Sequence, residues 1–331
     1  MKDNVLAIGV SHRDHFSIMM AYYPKGIHEN FDIVLFVDNR NDILQDIKDL
    51  IDHYNIPAFK NAKIVINTKM MDEYSSKFSL SERGHKFLFE YSACFKLLVP
   101  IYLREHFNTK KTFAIDDDIF ILRDLSPLFN KYQGWVFKKE NLFDFKNKNK
   151  HRVLKEFNSV FNSNFTLSQM DSLSLNSGTI IYDNYDDKYP EYVKKFIEND
   201  YIQSMFFDHT GYSAWTVEQR FQHFNMHRLM KERNDTKLFE GKEVRLITSL
   251  GKEKEGDKFL KIVVPYLIHY TVGVKKPLWL RKFIPGIAWR FNNYQFTPKF
   301  ELKDILYNKH WEPTRFKLIH KKKKEKVKSL F

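Results

Sequence analysis

Three consecutive carboxylates, Asp116-Asp117-Asp118, interrupt the apolar run from Phe113 to Leu122. Neighbouring carboxylates repel one another and lose hydration when buried, so each needs a cation, a hydrogen-bond donor or a proton. In an extended chain, residues two apart point to the same side. Asp116 and Asp118 can therefore converge on one ion while Asp117 faces away. Hard oxygen ligands favour magnesium or manganese, with waters and substrate phosphates completing the shell. Aspartate clusters also suit turns and helix N-caps, but here apolar residues crowd both flanks and favour a metal site.

Three other stretches carry reactive types. Leu175-Asn176-Ser177-Gly178 places an amide, a hydroxyl and a glycine where the chain enters a strand starting near Thr179; such a triplet also serves ordinary turns. Glu218-Gln219 opens a helix after Trp215, where an exposed acid would simply complement the helix dipole. His269-Tyr270-Thr271-Val272-Gly273-Val274-Lys275-Lys276-Pro277-Leu278-Trp279 follows an apolar run. A histidine at a strand end can ligate a metal, a glycine lets backbone approach a phosphate, and Lys276 can neutralise phosphate charge.

The elements that must position these groups alternate. Val5 to Val10, Asp32 to Val37 and Lys63 to Ile66 read as strands, and His15 to Ile27 as a loose helix. Asn41 to Tyr54 reads as an amphipathic helix with Ile43, Leu44, Ile47, Leu50 and Ile51 on one face. His85 to His106 reads as one long helix, kinked or broken near Val99 by Pro100. Trp135 to Lys138, Thr179 to Tyr182 and Lys261 to His269 read as strands, and Tyr189 to Glu198 and Val217 to Met230 as helices. This order predicts an α/β, Rossmann-like fold with a mostly parallel central sheet flanked by helices. Ligands of such sheets bind at the carboxyl ends of the strands. Asp38 and Asp14 sit at such ends, where either could bond a ribose or base or cap the next helix. The Lys- and Asn-rich stretch Phe143 to Asn164 reads as an insertion. No internal repeat or Gly/Ser linker divides the chain.

The single cysteine, Cys94, excludes an internal disulfide and points to a reducing compartment. The apolar run after Met1-Lys2-Asp3-Asn4 is too short for a secretory signal. No run approaches the roughly 20 apolar residues of a membrane span. The net charge of +13 is concentrated at the end of the chain. Residues 281–331 hold 14 Lys and Arg against 4 acids, a net of +10, and the first 280 residues hold 40 against 37. Trp289, Phe291, Phe296, Trp311 and Phe316 are interleaved with those charges before Lys321 to Lys324. That mixture suits an anionic membrane surface. A solvated tail, disordered after His320, and a single-stranded nucleic acid surface are the competing uses. The expected organisation is a catalytic domain over 1–280 and a basic, aromatic extension over 281–331.

Taken in order, the motifs from about Tyr91 to Trp279 resemble glycosyltransferase family 8, the retaining GT-A enzymes that include glycogenin and bacterial lipopolysaccharide galactosyl- and glucosyltransferases. Lys96-Leu97-Leu98-Val99-Pro100 is similar to the family's helix. Ile115 to Asp118, followed by Asp124-Leu125-Ser126-Pro127-Leu128, is similar to its metal-binding strand. Asn176-Ser177-Gly178, Glu218-Gln219 and His269 to Trp279 are similar to its later motifs. The resemblance implies a GT-A fold and Mn2+ or Mg2+ held by Asp116, Asp118 and His269 against the diphosphate of a nucleotide sugar. It assigns donor contacts to Asp117, Lys96, Ser177, Gly273, Lys276 and Asp38, and catalytic roles to Gln219, Glu218 and Asn176. Lys96 stands where the family usually has arginine, and Glu218 replaces aspartate. The implied acceptor is a glycan or lipid-linked glycan in surface polysaccharide synthesis. The implied location is cytoplasmic, peripheral on the inner face of a membrane. A sugar nucleotidyltransferase would also pair carboxylates, but Val5 to Asp14 lacks that class's glycine-rich opening. A non-catalytic nucleic-acid-binding protein would leave the Asp and His motifs unused, so no nucleic acid partner is expected.

Overall fold

The computed structural model of the chain describes residues 2–21, 23, 30–38, 43–90, 94–139, 150–172, 175–207, 217–247 and 266–270. The first part forms β1 (Asn4–Val10), α1 (Arg13–Ala21), β2 (Asp32–Val37), α2 (Leu44–Tyr54), α3 (Pro57–Lys60) and β3 (Lys63–Ile66). Then come α4 (Asn67–Lys77), α5 (Glu82–Glu90), α6 (Phe95–Phe107), β4 (Lys111–Asp116), β5 (Ile119–Ile121) and α7 (Ser126–Lys131). Next are β6 (Val136–Lys139), α8 (Lys150–Val160), α9 (Leu167–Ser172), β7 (Leu175–Asp183), α10 (Tyr189–Ile197) and α11 (Asp200–Phe207). The last are α12 (Val217–Glu232), β8 (Lys237–Leu238), β9 (Val244–Ile247) and β10 (Leu267–Tyr270).

Seven strands form one sheet in the order β3-β2-β1-β4-β7-β6-β8, and only β7 runs against the others. The fold is therefore α/β with a mostly parallel sheet, as the alternating runs predict. Strands covered on both faces are apolar throughout. Leu6, Ile8 and Val10 of β1 join Leu35, Val37, Phe16 and Ile47 on one face, while Val5 and Ala7 join Val34, Phe36, Met70 and Leu98 on the other. The chain leaves β1 toward β2 on one side and returns as β4 on the other. Such a reversal opens a crevice at the strand ends. A second sheet, β5-β10-β9, stands beside that crevice.

Several local expectations change. Of the helix expected from 85 to 106, the described parts are α5, up to Glu90, and α6, from Phe95, and α6 continues through Pro100 as its sixth residue. The Lys- and Asn-rich stretch contributes α8, whose Leu154, Phe157 and Val160 are buried in the main core. Of the strand expected over 261–269, the described part is β10. Everything after Tyr270, including the basic extension, lies outside the described residues. Among the described residues, no helix is long and apolar enough to cross a membrane.

Candidate functional site

Backbone register brings the separated motifs together. Gly9 pairs with Asp116 in β1 and β4, and Ile115 pairs with Thr179 in β4 and β7. His269 of β10 pairs with Ile119 of β5. The acidic triplet is thus not one continuous strand: β4 ends at Asp116, and Asp117 and Asp118 form the turn into β5. The turn still sends the outer two carboxylates to one side. One ligand atom each from Asp116, Asp118 and His269 lies within 4.8 Å of the other two.

The hydrogen bonds of His269 define what its ring presents. Its Nδ1 is 2.9 Å from Asn176 Oδ1, and the same oxygen accepts the Gly178 backbone N–H at 2.9 Å. The Gly178 donor fixes the Asn176 group as the amide oxygen, which can only accept, so Nδ1 must carry the proton. In the neutral ring, Nε2 then presents a lone pair 3.1 Å from Asp118 Oδ1. Two acceptors facing each other in a largely buried position repel unless a proton or a metal ion lies between them. A ligating histidine is held in this manner, with its other N–H given to an oxygen. The donor set therefore fits a divalent ion.

A bulge in β7 makes room for this arrangement. Phe137 pairs with Ile180, but the next residue, Lys138, pairs with Asn176, so Ser177, Gly178 and Thr179 have no counterpart on β6. Bulges re-aim side chains and cluster at functional sites. A Cβ at Gly178 would lie 2.3 Å from His269 Cε1 and 2.8 Å from Asp116 Oδ2. Only hydrogen fits there, which explains the glycine without any appeal to turn geometry.

A second group of charges adjoins the first. Lys96, at the start of α6, places Nζ 2.6 Å from Asp116 Oδ1 and 3.5 Å from Glu218 Oε1. Burial works against its ammonium, but the charges of Asp116 and Glu218 outweigh it and hold the pKa above the ordinary lysine range. Ser177 Oγ donates to Glu218 Oε1 at 2.8 Å. Glu218 is not the exposed helix-end acid of a simple dipole partner: it is 2% exposed. Burial raises its pKa against the opposing pull of Lys96 and Ser177. Its Oε2 is buried and meets no donor among the described residues. Such an oxygen can accept a bond from a hydroxyl brought by a ligand. Gln219 Nε2 donates to the Leu175 carbonyl at 2.5 Å, which ties the start of α12 to the strand carrying Asn176.

Asp117 points to the opposite side of the turn. Its Oδ2 accepts the backbone N–H groups of Ser11 at 2.8 Å and His12 at 2.7 Å, so it organises the loop after β1. Burial works against its charge, but the hydrogen bond and charge of His15 and the charge of His12 outweigh it and hold its pKa below the usual range. Asp38 is buried at the end of β2, where its N–H donates to the Val10 carbonyl at 2.9 Å. Gly273 and Lys276 lie outside the described residues.

Two features go beyond the sequence reading. Gly178 is named there in the Asn176-Ser177-Gly178 motif, but its crowding against His269 and Asp116 comes from residues distant in the chain. The His12-x-x-His15 pair was a readable signal at the end of the first strand, and its partner Asp117 was already in view.

No family model and no curated protein matches this sequence. In structure, the chain is similar to mouse xyloside xylosyltransferase 1 in its apo form, at 10% identity over 80% of this chain and 97% of that one, with a TM-score of 0.46. It is also similar to the galactosyltransferase LgtC in complex with donor and acceptor sugar analogs, at 12% identity over 82% and 88% of the two chains, with a TM-score of 0.42. A third likeness is to the WbbM bifunctional glycosyltransferase, at 14% identity over 86% of this chain and 49% of that one, with a TM-score of 0.44. At these scores the likeness carries no chemistry, which must come from the residues themselves.

Proposed function

We propose that the chain is a metal-dependent GT-A glycosyltransferase resembling family 8. It transfers a sugar from a nucleoside-diphosphate donor, a UDP-sugar by the resemblance, to a glycan or lipid-linked acceptor with retention of configuration. The observation that supports this best is the convergence of Asp116, Asp118 and His269 beside the β1/β4 crevice, with His269 turned by Asn176 to offer its Nε2 lone pair. Those three residues would hold Mn2+ or Mg2+, which when bound offsets the negative charge of the donor diphosphate.

The remaining chemistry falls to the chain. Lys96 lies between the Asp116 and Glu218 carboxylates and sets the positive potential behind the diphosphate. Glu218 Oε2 accepts a hydroxyl of the transferred sugar, and Ser177 keeps that carboxylate oriented. Asn176 and Gln219 line the sugar. A carboxamide is a poor nucleophile, in keeping with same-face attack by the acceptor rather than a covalent intermediate. Asp38 and the loop held by Asp117 receive the nucleoside end. By the resemblance, Gly273 and Lys276, which lie outside the described residues, would serve the diphosphate. The domain boundary near 280, and docking of the 281–331 extension on the inner face of an anionic membrane, belong to the same proposal.

The test is donor hydrolysis. The protein is incubated with UDP-, GDP-, ADP- and CMP-sugars, with Mn2+ or with chelator, and release of the free nucleotide is followed. One donor class should be turned over only with metal. Equal turnover in chelator would exclude the metal-dependent reading, and turnover of none would remove the transferase reading itself.

A further inference from the structure

We propose that His12, His15 and Asp117 form a second divalent-cation site, separate from the Asp116, Asp118 and His269 group and suited to Zn2+. One ligand atom from each of the three lies within 4.8 Å of the others. The two histidines stand three residues apart at the entry of α1. The His12 carbonyl accepts the Phe16 N–H at 3.1 Å, so His12 caps the helix and His15 lies in its first turn. That spacing turns both rings the same way, and their centroids are 4.7 Å apart.

The carboxylate they face is fixed in advance. Asp117 is 4% exposed, and its Oδ2 is held by two backbone N–H groups and, at 3.3 Å, by the Ser11 hydroxyl. Its Oδ1 faces His15 Nδ1 at 3.4 Å, and His12 Nδ1 lies 3.9 Å from Oδ2 and 2.9 Å from Ser11 Oγ. An oriented carboxylate with its second oxygen hydrogen-bonded is what a ligating acid requires. The rings are 33% and 29% exposed, which leaves an entry path.

The two groups differ in chemistry. The first offers two carboxylates and one imidazole, and the second two imidazoles and one carboxylate. Imidazole-rich sets favour zinc, and oxygen-rich sets favour manganese and magnesium. Three protein ligands with an open fourth position are ordinary for zinc. An ion on the second group ties the loop after β1 to the turn that carries Asp116 and Asp118, so it rigidifies the first group without touching it. Asp117 serves this site directly. The inference concerns binding of the metal alone and stands whether or not the transferase reading does.

The experiment uses the full chain carrying Asp118→Asn, which weakens the first group, titrated with Zn2+ alone by calorimetry. One equivalent should bind, and its affinity should fall about 100-fold when His12→Ala and His15→Ala are added. Circular dichroism and the metal-free melting temperature check folding. If the double variant does not fold, His15→Asn, which keeps a donor near Asp117 but not a ring ligand, is titrated instead with the same expected direction. Zn2+ binding that is unchanged by the histidine substitutions, or absent from the parent, would overturn the site. So would loss of UDP affinity with Zn2+ binding intact, which would assign the histidines to a nucleotide pocket.

Discussion

His269 gives its Nδ1 proton to the amide oxygen of Asn176, 2.9 Å away, and so shows its other nitrogen to Asp118. Two residues 93 positions apart thereby set the lone pair on which metal ligation depends. Asn176→Ala should weaken Mn2+ binding by about 10- to 100-fold. Asn176→Asp keeps an oxygen for both His269 and Gly178 and should recover most of that loss. Calorimetric titration of Mn2+ compares the two, and an equal loss in both would mean that the oxygen is not what matters.

Gly178→Ala tests the crowding around the same ring. Its methyl would collide with His269 and Asp116 rather than with the end of a long surface side chain. The expected outcome is a loss of Mn2+ affinity of at least about 10-fold, with a far-UV spectrum like that of the parent. Unchanged affinity would show that the two ligands can move aside freely.

Glu218 gives a pH signature. Its folded pKa is raised chiefly by burial. The linked stability is therefore fully present below the ordinary glutamate pKa and is lost as pH rises through the raised folded value. Glu218→Gln removes the charge. The variant should melt above the parent at pH 8, with the gap closing as pH falls toward 4.5. It should also lose about 100-fold or more in turnover, the scale for removing a group that holds a reacting ligand. Melting curves across pH check the first expectation and donor hydrolysis the second.

Away from the site, α12 is anchored by a buried ion pair. Arg228 Nη2 lies 2.5 Å from Asp186 Oδ2, with side-chain exposures of 3% and 7%, and Arg228 also donates to Asn225 at 2.8 Å. Removing one partner leaves the other charge buried, which costs about 3–5 kcal/mol. Asp186→Ala should lower the unfolding free energy by that amount in urea titrations. A loss under 1 kcal/mol would mean that water or Glu232, 3.1 Å from Arg228 Nη1, takes over the pairing.

The parts of this fold that were legible in the sequence are those set by local pattern. Val5 to Val10 and Asp32 to Val37 are continuous apolar runs, and they form central strands buried on both faces. Ile47, Leu50 and Ile51 recur at helical spacing and lie on the buried side of α2. What was not legible depends on partners far along the chain. Alternation alone would carry the acidic triplet along one strand. The chain instead turns at Asp117, where the N–H groups of Ser11 and His12 compete for the carboxylate. Asn176-Ser177-Gly178 reads as the entry to a strand starting near Thr179, yet lies within β7, where β6 pairs with Asn176 and skips the next three residues. Glu218, whose local pattern alone would also suit an exposed helix-end acid, is buried against Lys96 and Ser177. Neither residue lies near it in sequence, so no local signal could have told.

The most direct test of the central claim is thermal stability against the panel of nucleotide sugars, with and without Mn2+, for the parent chain and Asp118→Asn. One donor should raise the melting temperature of the parent only when Mn2+ is present, and the shift should vanish in Asp118→Asn. If the metal-dependent shift instead persists in Asp118→Asn, or if no donor produces one, then Asp116, Asp118 and His269 are not the metal-diphosphate site.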